Sequence, residues 1–141
     1  MAASDQRVLH LLQLAAHRVR THGDRSGIAV AGVTMAQAGA LFAIHSKPGA
    51  TQRELARMLK QGESAVTAMV TRLLEAKLVE RRTSAADERA WSLFLTPKGA
   101  KALLELRKLL NEMNARLTDA LGEDGVQQLA AALRLIGSME F

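Results

Sequence analysis

The chain is 141 residues long, 48% hydrophobic and 23% charged, which is enough apolar material for one buried core and too little length for a second, catalytic domain. It contains no cysteine, which excludes a disulfide framework, a thiolate zinc site, an iron–sulfur cluster and a thiol redox switch, and fits a reducing, cytoplasmic setting. The formal net charge is +5, and the stretch from Lys47 to Gly99 carries ten Lys or Arg against six acids, so the basic excess sits mid-chain and calls for an acidic partner.

Three Phe, one Trp and no Tyr, set among abundant Leu and Ala, favour helices over a β-sandwich. One compact domain, or a small domain with a dimerisation arm, is expected. The N-terminus shows no leader pattern, because charged Asp5 and Arg7 follow the first residues. The most apolar stretch, Gly27 to Ile44, is interrupted by Gly32, Thr34, Gln37 and Gly39, so no membrane partner is expected.

Val8, Leu11, Leu12, Ala15 and Val19 recur at helical spacing and predict an amphipathic helix from Asp5 to about Thr21, capped by Ser4 or Asp5. Leu9, Leu14 and Ala16 widen its apolar stripe beyond what one small core covers, so the helix is expected to meet a partner chain as well. Gly23 to Gly32, with three glycines and a Gly-Asp pair, reads as a joint.

Thr34-Met35-Ala36-Gln37 and Thr51-Gln52-Arg53-Glu54 are both capping-box patterns, in which the Thr side chain takes an orphan amide and the Gln or Glu reaches back to the cap. They predict helices to about Ser46 and about Lys60, the second with Leu55, Met58 and Leu59 inward. After the short Gln61-Gly62 turn, Val66, Met69, Val70, Leu73 and Leu74 predict a third helix from Glu63 to about Lys77. Two short helices joined by a tight glycine turn make a helix-turn-helix candidate. Met35, Met58 and Met69 read as core fillers.

Leu78 to Thr83 and Ala90 to Leu95 read as two strands of a hairpin around a charged turn from Ser84 to Arg89. Trp91, Leu93 and Leu95 then share one face, with Trp91 expected in the hairpin core. Thr96-Pro97 supplies a cap and a proline at the first helical position. The long helix that follows carries a stripe of Leu103, Leu106, Leu110, Met113 and Leu117 and ends at Gly122. A last helix, Glu123 to about Ile136, is expected to bury Val126, Leu129, Ala130 and Leu133.

At this point the chain resembles the MarR family of winged helix-turn-helix regulators. Gly32-Val33-Thr34 with Gln37, Leu41 and Ile44, then Thr51 to Ala56, then Leu73 through Arg82 carry the likeness, and Asp87-Glu88-Arg89-Ala90 with Leu95-Thr96 and Gly99 is similar to the family's D-x-R wing followed by L-T-x-x-G. The resemblance implies a mainly α fold with a small β-hairpin wing, an intertwined homodimer, and residues 1–22 and 100–141 as the helical dimerisation region around a DNA-binding region at 34–99. It also implies a repressor of a pseudo-palindromic double-stranded operator, released by a small-molecule effector.

The residues assigned to DNA are Thr51, Gln52, Ser64, Ala65, Thr67, Ala68, Thr71, Arg72, Arg81, Arg82, Asp87 and Arg89, with Arg89 in the minor groove and Asp87 fixing its guanidinium. The family's S-T-V-T-R run stands here as Ser64-Ala65-Val66-Thr67-Ala68. Base readout by an arginine is therefore lost at Ala68, and apolar contact with a thymine methyl replaces it. His10, His17 and His45 are the polar groups assigned to an effector site. No catalytic constellation, metal set or cofactor motif is read, and a dimeric protein-docking module without operator binding is the alternative.

Overall fold

The structure, a computed structural model, describes residues 2–83 and 90–141. The expected wing turn, with Asp87 and Arg89, lies outside the described residues. The element order is α1 (Ala2–Ala31), α2 (Met35–Ser46), α3 (Gln52–Leu59), α4 (Glu63–Glu75), β1 (Val79–Thr83), β2 (Trp91–Leu95) and α5 (Pro97–Ser138). The chain packs as two compact units, Met1–Leu106 and Arg107–Phe141. Among the described residues no single helix is long and apolar enough to cross a membrane.

Both capping boxes form. Thr34 Oγ1 accepts from Gln37 N at 3.2 Å while Gln37 Oε1 accepts from Thr34 N at 2.9 Å, and Thr51 and Glu54 repeat the exchange at 3.2 and 3.3 Å. Glu54 also takes an ion pair from Lys47 of the preceding turn. That Lys47 hydrogen bond first, and the Thr51 N–H second, hold the Glu54 carboxyl below the ordinary glutamate value. The α3–α4 connection turns on Lys60 in the left-handed region, with φ 53°.

The expected joint at Gly23–Gly32 is instead the last part of α1, which continues to Ala31. A Cβ on Gly23 would stand 2.5 Å from Met35 Cγ, and one on Gly27 would stand 2.6 Å from Val33 O. These glycines, four apart on one helix face, let α1 approach the start of α2 and the turn before it closely. Asp24 does the work of a cap, its Oδ1 accepting from Met35 N at 2.8 Å. The turn itself falls at Gly32, whose φ of 70° places it in the region that favours glycine and whose N–H donates to Ile28 O at 3.0 Å.

Leu41, Ile44, Leu55, Val66, Val70, Leu73, Leu93 and Leu106 are fully buried and form the core of the first unit. Each large side chain so buried contributes roughly 2 kcal/mol against exposure. Met58 is not among them: it is 40% exposed, while Leu55 and Leu59 of the same helix face inward. Met35 and Met69 are half-buried, Met35 against Gly23 and Met69 against the core.

The hairpin pairs Val79 with Leu95, Arg81 with Leu93 and Thr83 with Trp91 in antiparallel register. It is tied to the α2–α3 turn through Ala50, with Gly49 N donating to Leu93 O at 2.8 Å and Leu93 N to Ala50 O at 2.9 Å. Trp91 shares a face with Leu93 and Leu95 as expected, yet it is 44% exposed and outside the core, because that face runs beyond the packed helices at the outer end of the strands.

Within α5, Gly122 departs from helical geometry at φ 75° and ψ 167°, which separates residues 97–121 from 123–138 where the sequence predicts the break. In a single chain the last segment does not bury its stripe: Leu129 and Leu133 stand exposed, as do Leu117 and Leu121 before the break. On α1, Val8, Leu9, Leu11, Leu14 and Val19 are about half exposed. Helices α2 to α4 followed by the hairpin form a winged helix-turn-helix.

Candidate nucleic-acid interface

Helix α4 is anchored on one side by Val66, Val70 and Leu73. Helical geometry then turns Ser64, Ala65, Thr67, Ala68, Thr71 and Arg72 outward, and all six are exposed. The face is short, small and polar, with one cation. Such a surface can approach a groove floor closely and offers hydroxyls and methyls rather than bulk.

The N-terminus of α3 stands beside it. Thr67 Oγ1 lies 2.8 Å from Glu63 O and 3.1 Å from Gln52 Oε1, and its single proton serves both acceptors. Because Gln52 accepts through its oxygen, its amide nitrogen remains to donate outward. Arg53 Nε reaches Glu63 Oε1 at 3.3 Å and fastens the same two helix starts. Thr71 Oγ1 donates to Thr67 O at 2.9 Å, so this hydroxyl is occupied by its own helix while its methyl group faces out.

On the other flank of α4, a groove of about 190 Å³ is bordered by Thr34, Gln37, Gln61, Ala65, Ala68 and Arg72. It joins the capped start of α2 to the α4 face. Gln61 and Thr34 were legible in sequence only as a turn and a cap, and their place beside Ala65 and Ala68 depends on the tertiary path of α2.

Arg81 and Arg82 are both exposed on β1 and, being adjacent on a strand, project from opposite faces of the hairpin. Thr51 and Gln52 are half-buried at the start of α3, so Gln52 reaches this surface while Thr51 is engaged as the cap. Of the three histidines assigned to an effector, all are exposed. His17 lines an open groove of about 360 Å³ on α1 with Arg18, Thr21, His22 and Arg25, and neither His10 nor His45 borders it.

Residues 31–90 match the profile of the MarR family. The chain is 34% identical over 94 residues to the HTH-type transcriptional regulator BilQ of Clostridium symbiosum, a match covering 67% of this chain and 65% of that protein. A second curated relative, from Thauera aromatica, is 34% identical over 93 residues, or 63% of this chain and 56% of its own length. The chain therefore spans less than two thirds of the length of either curated relative. Among solved structures it is similar to the transcriptional repressor CouR bound to a 23-mer DNA duplex, with a TM-score of 0.83 and 31% identity over 90% of this chain and 89% of that one. The MarR family transcription regulator SP03579 shares the fold at a TM-score of 0.83 and 20% identity, over 97% of this chain and 92% of that one. The profile match, the relatives and the shared winged-helix architecture agree, and the chain belongs to the MarR family.

Proposed function

We propose that the protein is a sequence-specific DNA-binding transcription regulator that acts as a homodimer, represses transcription from a pseudo-palindromic operator and loses DNA affinity when a small-molecule effector binds. The observation that carries this reading is the α4 face, where Ser64, Ala65, Thr67, Ala68, Thr71 and Arg72 stand exposed together on a helix whose opposite side is locked into the core. The likeness to CouR, a repressor bound to a DNA duplex, supports it.

In this reading α4 enters the major groove. Ser64 and Thr67 meet base edges, Ala65 and Ala68 meet thymine methyls, and Gln52 and Arg72 meet flanking phosphates. Thr51 sets the start of α3, and Thr71 packs its methyl toward the groove wall. The hairpin lies along the neighbouring minor groove with Arg81 and Arg82 in its strands, and Asp87 and Arg89, assigned to the same groove, lie outside the described residues. Residues 1–22 and 100–141 hold the dimer, and the exposed apolar residues of α1 and of residues 117–135 supply the surface it needs. His10, His17 and His45 are the polar groups of the effector response, which acts by favouring one of two dimer forms. The reading assigns no catalysis.

Thr67→Ala is the direct test of readout. It removes a hydroxyl near the base edges and releases Gln52, so binding to a duplex selected from a random-sequence library is expected to weaken by about tenfold. Binding to an unrelated duplex is expected to weaken less, through the freed Gln52 alone, when both are followed by fluorescence anisotropy. An equal loss on both duplexes would contradict the base-reading role.

A further inference from the structure

The two adjacent arginines of β1 are built into the hairpin differently. Arg82 has its guanidinium carbon 4.2 Å from the centre of the Phe94 ring, and its Nε donates to Glu80 Oε1 at 3.1 Å. The Glu80 carboxylate, two residues away on the same strand face, neutralises that cation. Phe94 in turn lies against Gly49, where a Cβ would come within 3.3 Å of the ring, and Gly49 is hydrogen-bonded to Leu93. Arg82, Glu80, Phe94 and Gly49 thus form one stack that fastens the hairpin to the α2–α3 turn.

Arg81 stands on the other face. Its guanidinium carbon is 4.8 Å from the centre of the Trp91 ring, the diagonal neighbour across the register that sets Arg81 opposite Leu93. Among the described residues no carboxylate lies within ion-pair distance of it. The ring face attracts the guanidinium without cancelling its charge. Holding the long side chain over the ring also removes part of the rotamer freedom that a free arginine would lose on meeting a ligand. Trp91 is itself poorly covered, which is costly for an indole that only fills space and is explained if the ring serves as a platform for the cation.

Resting on the DNA-binding reading above, we propose that Arg81 is the strand residue of the wing that contacts operator phosphate, that Trp91 is its positioning residue, and that Arg82 is a structural brace without a DNA contact. A phosphate oxygen accepts the outward N–H groups of a guanidinium already fixed in direction, and the released counterions follow that one charge rather than two.

The test compares full-length wild type, Arg81→Ala, Arg82→Ala, Trp91→Ala and Trp91→Phe on one duplex recovered by random-sequence selection, over a series of salt concentrations, with folding checked by circular dichroism and thermal melting. Arg81→Ala is expected to weaken binding by about tenfold per half-site and to reduce the salt slope by about one per protomer. Trp91→Ala is expected to weaken binding by a few-fold with the slope unchanged, since the cation remains, and Trp91→Phe to restore it. Arg82→Ala is expected to lower the melting temperature and leave the slope unchanged. As the sole tryptophan, Trp91 also reports the contact without DNA: its emission is expected to shift in Arg81→Ala and to stay as in wild type in Arg82→Ala.

A wild-type slope in folded Arg81→Ala, a reduced slope in Arg82→Ala, or a Trp91→Phe variant as weak as Trp91→Ala would each overturn the assignment while leaving DNA binding in place. Failure of the wild type to bind any duplex in a salt-dependent way would remove the DNA-binding reading itself, and this assignment with it.

Discussion

Gly99→Ala is expected to destabilise the protein by about 3 kcal/mol, although it replaces glycine inside a helix with the best helix former. Helix propensity alone would give up to about 1 kcal/mol in the opposite direction. The steric term wins because an added Cβ would stand 1.9 Å from Leu78 O and 3.0 Å from the Leu78 carbonyl carbon, both backbone atoms that cannot rotate aside. The same few residues clasp the end of α4 to the start of α5: Thr96 N donates to Leu78 O at 3.1 Å, Thr96 Oγ1 donates to Lys77 O at 2.6 Å and accepts from Gly99 N at 3.0 Å, and Lys98 Nζ donates to Ala76 O at 2.9 Å. Moving Leu78 to admit a methyl group would break several of these bonds together. This geometry gives the Leu-Thr-x-x-Gly pattern of the sequence its physical reason. Urea denaturation at one fixed protein concentration measures the effect, and a Gly99→Ala protein as stable as wild type would refute the clasp.

A single carboxylate on the last part of α5 is expected to cost the dimer about a thousandfold in dissociation constant. Leu129 and Leu133 are four residues apart and both well exposed in one chain. A leucine fully removed from water contributes roughly 2 kcal/mol, and Leu129 and Leu133 are 39% and 44% exposed, so each gains roughly 0.8 kcal/mol in the dimer and a two-fold interface counts it twice; burying the two new carboxylates adds at least about 1 kcal/mol each, for a total of about 4 kcal/mol. Leu129→Asp or Leu133→Asp should therefore dissociate at concentrations where the wild type remains dimeric. Sedimentation velocity on the folded variants reads this directly. A dimer of unchanged affinity in both would place the interface away from this stripe.

Capping boxes and hydrophobic periodicity located α2, α3 and α4 in the sequence, because those signals depend on residues within one or two turns. The break at Gly122 and the two strands of the hairpin were legible for the same reason. Gly23 and Gly27 were not. A glycine needed for a bend and a glycine needed for close helix contact both require the absence of a Cβ, and only the path of α2 over α1 tells them apart. Trp91 shows the corresponding limit for strands: alternation fixes the side of the sheet on which a residue falls, but not whether the core extends that far. Met58 fell outside the core because a short helix buries only a narrow stripe, here centred on Leu55 and Ala56. Of the candidate site, the exposed α4 face followed from its apolar complement. The Thr67–Gln52 contact, the groove beside α2 and the different settings of Arg81 and Arg82 arise between elements and had no local signal. His10, His17 and His45 carry a signal of residue type alone; the seven-residue spacing of His10 and His17 places that pair on one face of α1 but does not say what surrounds them.

The central claim, a dimer that reads DNA through two α4 faces, is tested most directly by selecting duplexes from a random-sequence library with the wild-type protein and footprinting the recovered sequence. The account predicts one inverted repeat, bound by two chains, with two protected half-sites centred about 10 base pairs apart. Recovery of no consensus sequence, or of a single unpaired half-site bound by one chain, would contradict it.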